Sequence, residues 1–323
     1  RWSAASHCHP LLYCSSIFLY IYLTAHFFRR SSAMGAPTYV EGELSLARGG
    51  KLFTVKYLPA EGTPLKAVLV FHHGYGEHVG RYTDVFNKLA SDGISVYSYD
   101  AFSFGRSEPN DDKRGHIEDF MFFVDDLEQY VADVKAQHPG TPLFLAGQSL
   151  GGLISTYTVL RNQSQYAGLL LWSAAIDVKR NLALKILAPL SGIAAKLIPM
   201  ARIAPAVDPN DMSTDPAAVA TYLADKNVFV GNVRAKFANQ AMHAIDGLRL
   251  RCKELTLPLL SVHGTSDNVA PMKAVKRLLE EAQSTDTKMH EFPGSYHELF
   301  HGPERDEATL VVRDWIQRLT SSL

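Results

Sequence analysis

The sequence predicts an α/β fold: a mostly parallel central sheet flanked by helices, with a helical cap inserted late in the chain. Three observations carry this. Short apolar runs at Ala67–Phe71 (AVLVF), Ile94–Tyr99, Leu143–Ala146, Gly168–Trp172 (GLLLW), Leu259–Val262 and Thr287–Phe292 read as strands. Helical stretches stand between them, and strands alternating with helices imply parallel pairing with both faces covered. The rhythm then breaks between about residues 175 and 244, where apolar residues continue with no obvious strand.

The elements follow in order. Glu43–Ala47 and Leu52–Leu58 flank Gly49-Gly50 and predict an opening hairpin. Tyr82–Leu89 is helical. Glu118–Lys135 places Phe120, Phe123, Val124, Leu127, Val131 and Val134 at three- and four-residue spacing, the mark of a helix with one buried face. Met272–Ala282 and Ala308–Leu319 predict the last two helices. Within the break, Leu184, Leu187, Ile193 and their apolar neighbours exceed what one buried stripe needs. They are expected to line a pocket as well as to cover the sheet.

Leu143–Ala146 runs straight into Gly147-Gln148-Ser149-Leu150-Gly151-Gly152, and a helix-compatible stretch follows. A Gly-x-Ser-x-Gly match arises by chance in a chain of this length with odds of roughly one in ten, but the flanking strand and helix make it specific. It predicts a nucleophile elbow with Ser149 at its tip. Strand and helix crowd together at such a turn, so Gly147 and Gly151 must lack a Cβ. The helix beginning near Leu150 aims free N–H groups and its positive end at the reacting oxygen.

An acid and a base should follow the serine in the order Ser, Asp, His. Asp267, in His263-Gly264-Thr265-Ser266-Asp267-Asn268, and His297, in Glu291-Phe292-Pro293-Gly294-Ser295-Tyr296-His297, each lie just beyond a late strand, where open α/β sheets build their sites. Alone, such an Asp is more often a turn residue and such a His structural; their joint order after two successive strands reverses those odds. The oxyanion hole should use the N–H of Leu150 and one from the loop after Ala67–Phe71. In that loop, His72-His73-Gly74-Tyr75-Gly76-Glu77-His78, the Tyr75 N–H is the candidate. The histidines His72, His73 and His78 come without matching carboxylate or cysteine spacing, so no metal is expected, and the chemistry needs no cofactor. Tyr99-Asp100 and Gly105-Arg106-Ser107 read as scaffold.

The chain has 323 residues and is 46% hydrophobic, enough for one large domain with a full core. Lys+Arg 32 against Asp+Glu 33 gives a net charge of −1, which offers nothing to a nucleic-acid partner. Cys8, Cys14 and Cys252 form no disulfide framework, and a reducing compartment is the plain reading. Leu11–Phe28 is nearly continuous apolar sequence followed by Arg29-Arg30. Residues 1–33 are therefore read as a leader or membrane anchor preceding a domain at 34–323, and the protein as cytoplasmic or membrane-associated. Peripheral membrane contact is expected through the cap; the sequence leaves the oligomeric state open.

The motifs together resemble the monoacylglycerol lipase and lysophospholipase-like group of serine α/β-hydrolases, which also includes plant caffeoylshikimate esterases. The matching stretches are His73–His78 with Arg81-Tyr82, Asp100 through Ser107, Gly147–Gly152, His263–Asp267 and Gly294–His297. The resemblance runs from Glu41 to the C-terminus and is weakest in the cap. It implies Ser149, Asp267 and His297 as a triad, Tyr75 and Leu150 as oxyanion donors, and Glu77, His78 and Arg81 beside the polar end of the pocket. The implied activity is hydrolysis of monoacylglycerol-type esters, with lysophospholipids or phenolic esters as alternatives and a non-catalytic ligand receptor as the rival class. Gln148 stands where the group usually has His, and Tyr75 replaces a smaller residue; both bear on the leaving group rather than on the chemistry.

Overall fold

The computed structural model describes residues 30–31, 35–109, 113–178, 191–205 and 207–321. Among these, nine strands form one sheet in the order Arg30–Ser31, Thr38–Ser45, Lys51–Leu58, Ile94–Tyr99, Ala67–His72, Leu143–Gln148, Gly168–Trp172, Leu259–Gly264 and Thr287–Phe292. Strands β2 (Thr38–Ser45) and β3 (Lys51–Leu58) make the expected hairpin, the first beginning five residues earlier than the apolar pattern suggested. From β5 (Ile94–Tyr99) through β4 (Ala67–His72), β6 (Leu143–Gln148), β7 (Gly168–Trp172) and β10 (Leu259–Gly264) to β11 (Thr287–Phe292), every pairing is parallel. The dipeptide β1 (Arg30–Ser31) pairs with β2, so the segment read as a leader reaches the sheet edge at its end. The apolar run Leu11–Phe28 lies outside the described residues. Among the described residues, no helix is long and apolar enough to cross a membrane.

The inner strands are buried along their whole length because helices cover both faces. Strand periodicity splits β4 between two cores. Val68 and Val70 face the cluster under helices α2 (Met121–Gln137) and α3 (Leu150–Arg161), whereas Ala67, Leu69 and Phe71 face the one under α1 (Thr83–Ser91) and the C-terminal helix Arg305–Thr320. Between β7 and β10 lie helices Ser191–Leu197, Pro216–Ala224 and Ala235–Leu248, and also a two-stranded antiparallel pair, β8 (Arg202–Pro205) with β9 (Asn232–Arg234). Those two strands were not expected. They are three and four residues long and lack the apolar run that marks a core strand.

The strand order decides where chemistry can sit. From β4 the chain moves outward to β5, then returns to lay β6 on the other side of β4. Loops leaving β4 and β6 therefore diverge at their C-terminal ends, a switch point that opens a crevice. The crevice closes tightly at its floor. A Cβ on Gly151 would sit 2.1 Å from the His72 carbonyl oxygen, and one on Gly147 would sit 2.2 Å from the Gly151 carbonyl carbon. Backbone lies on both sides of each contact, so neither neighbour can swing away. Gly151→Ala should therefore destabilise the fold by about 1–3 kcal/mol through overpacking, a fall of several degrees in melting temperature. A thermal melt unchanged from wild type would contradict the contact.

Candidate active site

Ser149 occupies the tip between β6 and α3 with φ 51° and ψ −116°, a backbone conformation that L-residues avoid. The strain is held from three directions. The Ser149 N–H donates to the Trp172 carbonyl at 2.9 Å, its own carbonyl accepts from Ala175 N at 2.9 Å, and Gly152 N closes the first helical turn onto it at 3.0 Å. Ser149 is part-exposed while its neighbours Gln148 and Leu150 are buried, so the strained turn presents one hydroxyl at the surface of a dry floor. Leu150 is the first residue of α3, where no preceding turn supplies an acceptor for its N–H.

Asp267 follows β10 and His297 follows β11, and these strands are parallel neighbours. His297 Nδ1 lies 2.8 Å from Asp267 Oδ2. The other carboxylate oxygen accepts the N–H groups of Val269 and Ala270 at 2.8 and 2.9 Å. Burial would lift the Asp267 carboxyl, but the His297 charge and hydrogen bonds from His263 and His297 hold it well below the usual carboxylate range. Burial likewise pulls His297 down, and the Asp267 carboxylate outweighs it, with Glu298 and Glu77 adding to the effect; the ring ends above its ordinary value. Gln148, next to Ser149 in sequence, donates through Nε2 to the His297 carbonyl at 3.3 Å and ties the elbow to the histidine segment. Among the described hydrogen bonds none joins the Ser149 hydroxyl to the ring. Such contacts are commonly long without substrate and tighten once it binds.

The loop after β4 packs directly on the elbow. A Cβ on Gly74 would meet the Ser149 Cβ at 3.2 Å. His73 accepts the Ala101 N–H at Nε2 (2.8 Å), so its proton is on Nδ1 and donates to the Gly74 carbonyl at 2.7 Å. Complete burial pushes the His73 pKa down to about 3, which keeps this tautomer neutral. Because N–H and C=O point oppositely across a trans peptide, fixing the Gly74 carbonyl also fixes the direction of the Tyr75 N–H. The Tyr75 ring is packed among Phe104, Phe229 and Phe237, the last two from the segment between β7 and β10.

Glu77, His78 and Arg81 are all buried or nearly so, and each is engaged by the protein. Glu77 accepts from Gly74 N at 2.6 Å, from Tyr82 OH at 2.9 Å and from Arg81 Nη1 at 2.8 Å. Arg81 also forks onto both oxygens of Glu298 at 2.5 and 2.7 Å. His78 accepts the Gly80 N–H at Nδ1, which leaves Nε2 to donate to Asp225 at 2.8 Å. Ile193 stands on a surface helix with 57% of its area exposed; Leu184 and Leu187 lie outside the described residues. Glu77, Glu298 and His301 offer ligand atoms within 4.8 Å of one another, but the cation between the two carboxylates is the Arg81 guanidinium. Asp100 caps the scaffold: it accepts from Val79 N at 2.8 Å and Arg106 N at 2.7 Å.

Sequence reasoning left three partners without a role. His263 Nε2 donates to the Ala270 carbonyl (2.8 Å) and lies 3.1 Å from Asp267, buttressing the acid. Glu298 and Asp225 complete the network around the β4 loop. His263 opens the His263–Asp267 stretch and Glu298 follows His297, which is the signal that marks them; Asp225 carries none.

A serine on a strained strand-to-helix turn at the switch point, with a buried Asp–His pair two and three strands away, defines a serine α/β-hydrolase. The family profile of serine aminopeptidase, S33, matches residues 63–304, and the chain belongs to that family, within its monoglyceride lipase-like group. It is 32% identical over 254 residues to a monoacylglycerol lipase of Mycolicibacterium smegmatis, covering 79% of this chain and 89% of the relative. It is 31% identical to the monoglyceride lipase of Rattus norvegicus, covering 83% and 87%. The crystal structure of a Paleococcus ferrophilus monoacylglycerol lipase superposes with a TM-score of 0.72 at 26% identity, covering 83% of this chain and 99% of that one.

The raised His297 pKa fixes the sign of a pH effect. A base must be neutral to take a proton, so the rate should be lost as pH falls through a value above the ordinary 6.5 of histidine. In Asp267→Asn, burial of the ring is opposed only by the weaker pulls of Glu298 and Glu77. Turnover should fall by roughly 10⁴-fold, and an NMR titration should put His297 below its wild-type value. An unchanged His297 titration would remove Asp267 as its partner.

Proposed function

We propose that the protein hydrolyses single-acyl lipid esters, cleaving a monoacylglycerol to a fatty acid and glycerol. The observation that carries this reading is the strained Ser149 turn lying against the β4 loop, with the Asp267–His297 pair behind it. Ser149 Oγ attacks the ester carbonyl while His297 Nε2 takes its proton. The carbonyl oxygen becomes an oxyanion, accepted by the N–H groups of Tyr75 and Leu150. His297 then passes the proton to the departing alcohol oxygen as the C–O bond breaks, leaving an acyl-enzyme. A water attacks that acyl carbon, gives its proton to His297 and releases the fatty acid, and the proton returns to Ser149.

The segment at 175–244 acts as the cap in this proposal. Leu197 (76% exposed), Ile193, Ile198 and Ile203 are exposed there, as are their sequence neighbours Lys196 and Arg202. Apolar side chains edged by cations suit contact with an anionic lipid surface, from which a single-chain substrate would enter. The names of the relatives support the same substrate class. Residues 34–323 suffice for catalysis in this proposal, and the chain started at Met34 should retain it.

A panel of monoacylglycerol, triacylglycerol, lysophosphatidylcholine and caffeoyl shikimate tests the substrate. Monoacylglycerol should be turned over fastest, with rates rising with acyl length as each buried methylene adds roughly 0.8 kcal/mol. Equal rates on triacylglycerol, or preference for the phenolic ester, would overturn the assignment. Ser149→Ala should reduce turnover by on the order of a millionfold while the melt stays cooperative; residual activity above about one per cent would exclude Ser149 as nucleophile. Ile193→Asp with Leu197→Asp should weaken sedimentation with anionic vesicles and leave hydrolysis of a short soluble ester intact.

A further inference from the structure

We propose that Glu77 is a positioning residue: through its bond to Gly74 N–H it sets the direction of the Tyr75 N–H, and through Arg81 and Glu298 it locks the β4 loop to the segment carrying His297. The proposal rests on the reading of Tyr75 as an oxyanion donor.

Glu77 leaves little of itself for a substrate. It is 3% exposed. A carboxylate has about four acceptor directions, and here Gly74 N, the Tyr82 hydroxyl reaching both oxygens, and Arg81 Nη1 fill them. A direct bond to a polyol would have to displace one of these. What Glu77 does reach is the peptide group immediately before the one that donates. Gly74 is thereby held at both ends, its N–H by Glu77 at 2.6 Å and its carbonyl by His73 at 2.7 Å. With both ends fixed, the following N–H has one direction. The close approach of Gly74 to Ser149 puts this unit against the nucleophile, and a side chain there would run into Glu77 Oε1 at 2.5 Å.

The second half of the link is Arg81. Its guanidinium bonds Glu77 from one nitrogen and Glu298 from two, and it stacks over Tyr222 at 4.8 Å. Burial alone would favour losing its proton, but the two carboxylates, Glu298 first, outweigh that and keep it charged. One buried cation thus joins the loops after β4 and β11, which are four strand positions apart in the sheet. Two carboxylates against one guanidinium also leave a net negative charge near His297. The other titratable groups packed there are His301, held neutral by burial with a pKa of about 3, and His78, which donates to Asp225. Both Glu298 and Glu77 favour the protonated ring, after the larger effect of Asp267.

The test is Glu77→Gln in the full chain, assayed on a monoacylglycerol and on a p-nitrophenyl ester of the same acyl length, which carries no polyol. Removing an oxyanion donor outright costs about 10²–10³ in turnover, so misdirecting one should lower kcat by about tenfold or more on both esters, with KM little changed. Loss of one negative charge should also move the acidic limb to lower pH, which a merely structural role would not do. A loss confined to the monoacylglycerol and seated in KM would make Glu77 a polyol contact and overturn the proposal, as would an unchanged kcat. If Glu77→Gln does not fold, Arg81→Lys decides: it keeps the charge but cannot fork, and should lower kcat on both esters alike, whereas a loss on the monoacylglycerol alone, or none, overturns the link. The underlying oxyanion reading fails separately, through a wild-type enzyme that hydrolyses neither ester.

Discussion

Everything at the site depends on how closely the start of α3 approaches the end of β4. Gly147 and Gly151 allow backbone to meet backbone where the His72 and His73 carbonyls turn upward. That contact holds Ser149 in its strained conformation, and it brings the β4 loop against that residue. The strand order makes the contact available, because β4 and β6 are neighbours whose exits diverge. Strain of this kind costs of order 1–3 kcal/mol and persists where surrounding structure over-determines it. Here the backbone bonds to Trp172, Ala175 and Gly152 do so.

Electrostatics then set the protonation states. Asp267 is wholly buried yet ionised, because two backbone N–H groups and two histidines face it. Its charge, in turn, keeps a buried imidazole basic. His72, His73 and His301 behave oppositely: none is hydrogen-bonded to a carboxylate, burial drives each down to about 3, and His72 and His73 serve as neutral hydrogen-bonding groups. The same side chain thus does two jobs in one site, sorted by whether a carboxylate is hydrogen-bonded to the ring.

The core strands and the elbow were legible because their signals are local. A run of buried apolar residues names a strand, and a Gly-x-Ser-x-Gly turn after one names its tip. The opening hairpin was placed correctly but short, since Thr38–Gly42 is half-buried and carries little apolar pattern. The β-pair in the segment before β10 was missed because its strands are short and pair across some thirty residues. The long-range half of the brace around Glu77 was not legible. Arg81 meets Glu298 across 217 residues, and His78 meets Asp225 across 147. No periodicity reports such pairs, so the motif marked these residues as belonging to the site while leaving open what they touch.

The most direct test is the site of covalent capture. Treatment of the intact protein with a fluorophosphonate, followed by mass mapping of its peptides, should give one adduct per chain, on Ser149. The rate of capture should fall with pH as His297 becomes protonated. No adduct, or an adduct on another serine such as the buried, positive-φ Ser173, would contradict the assignment of this turn as the nucleophile.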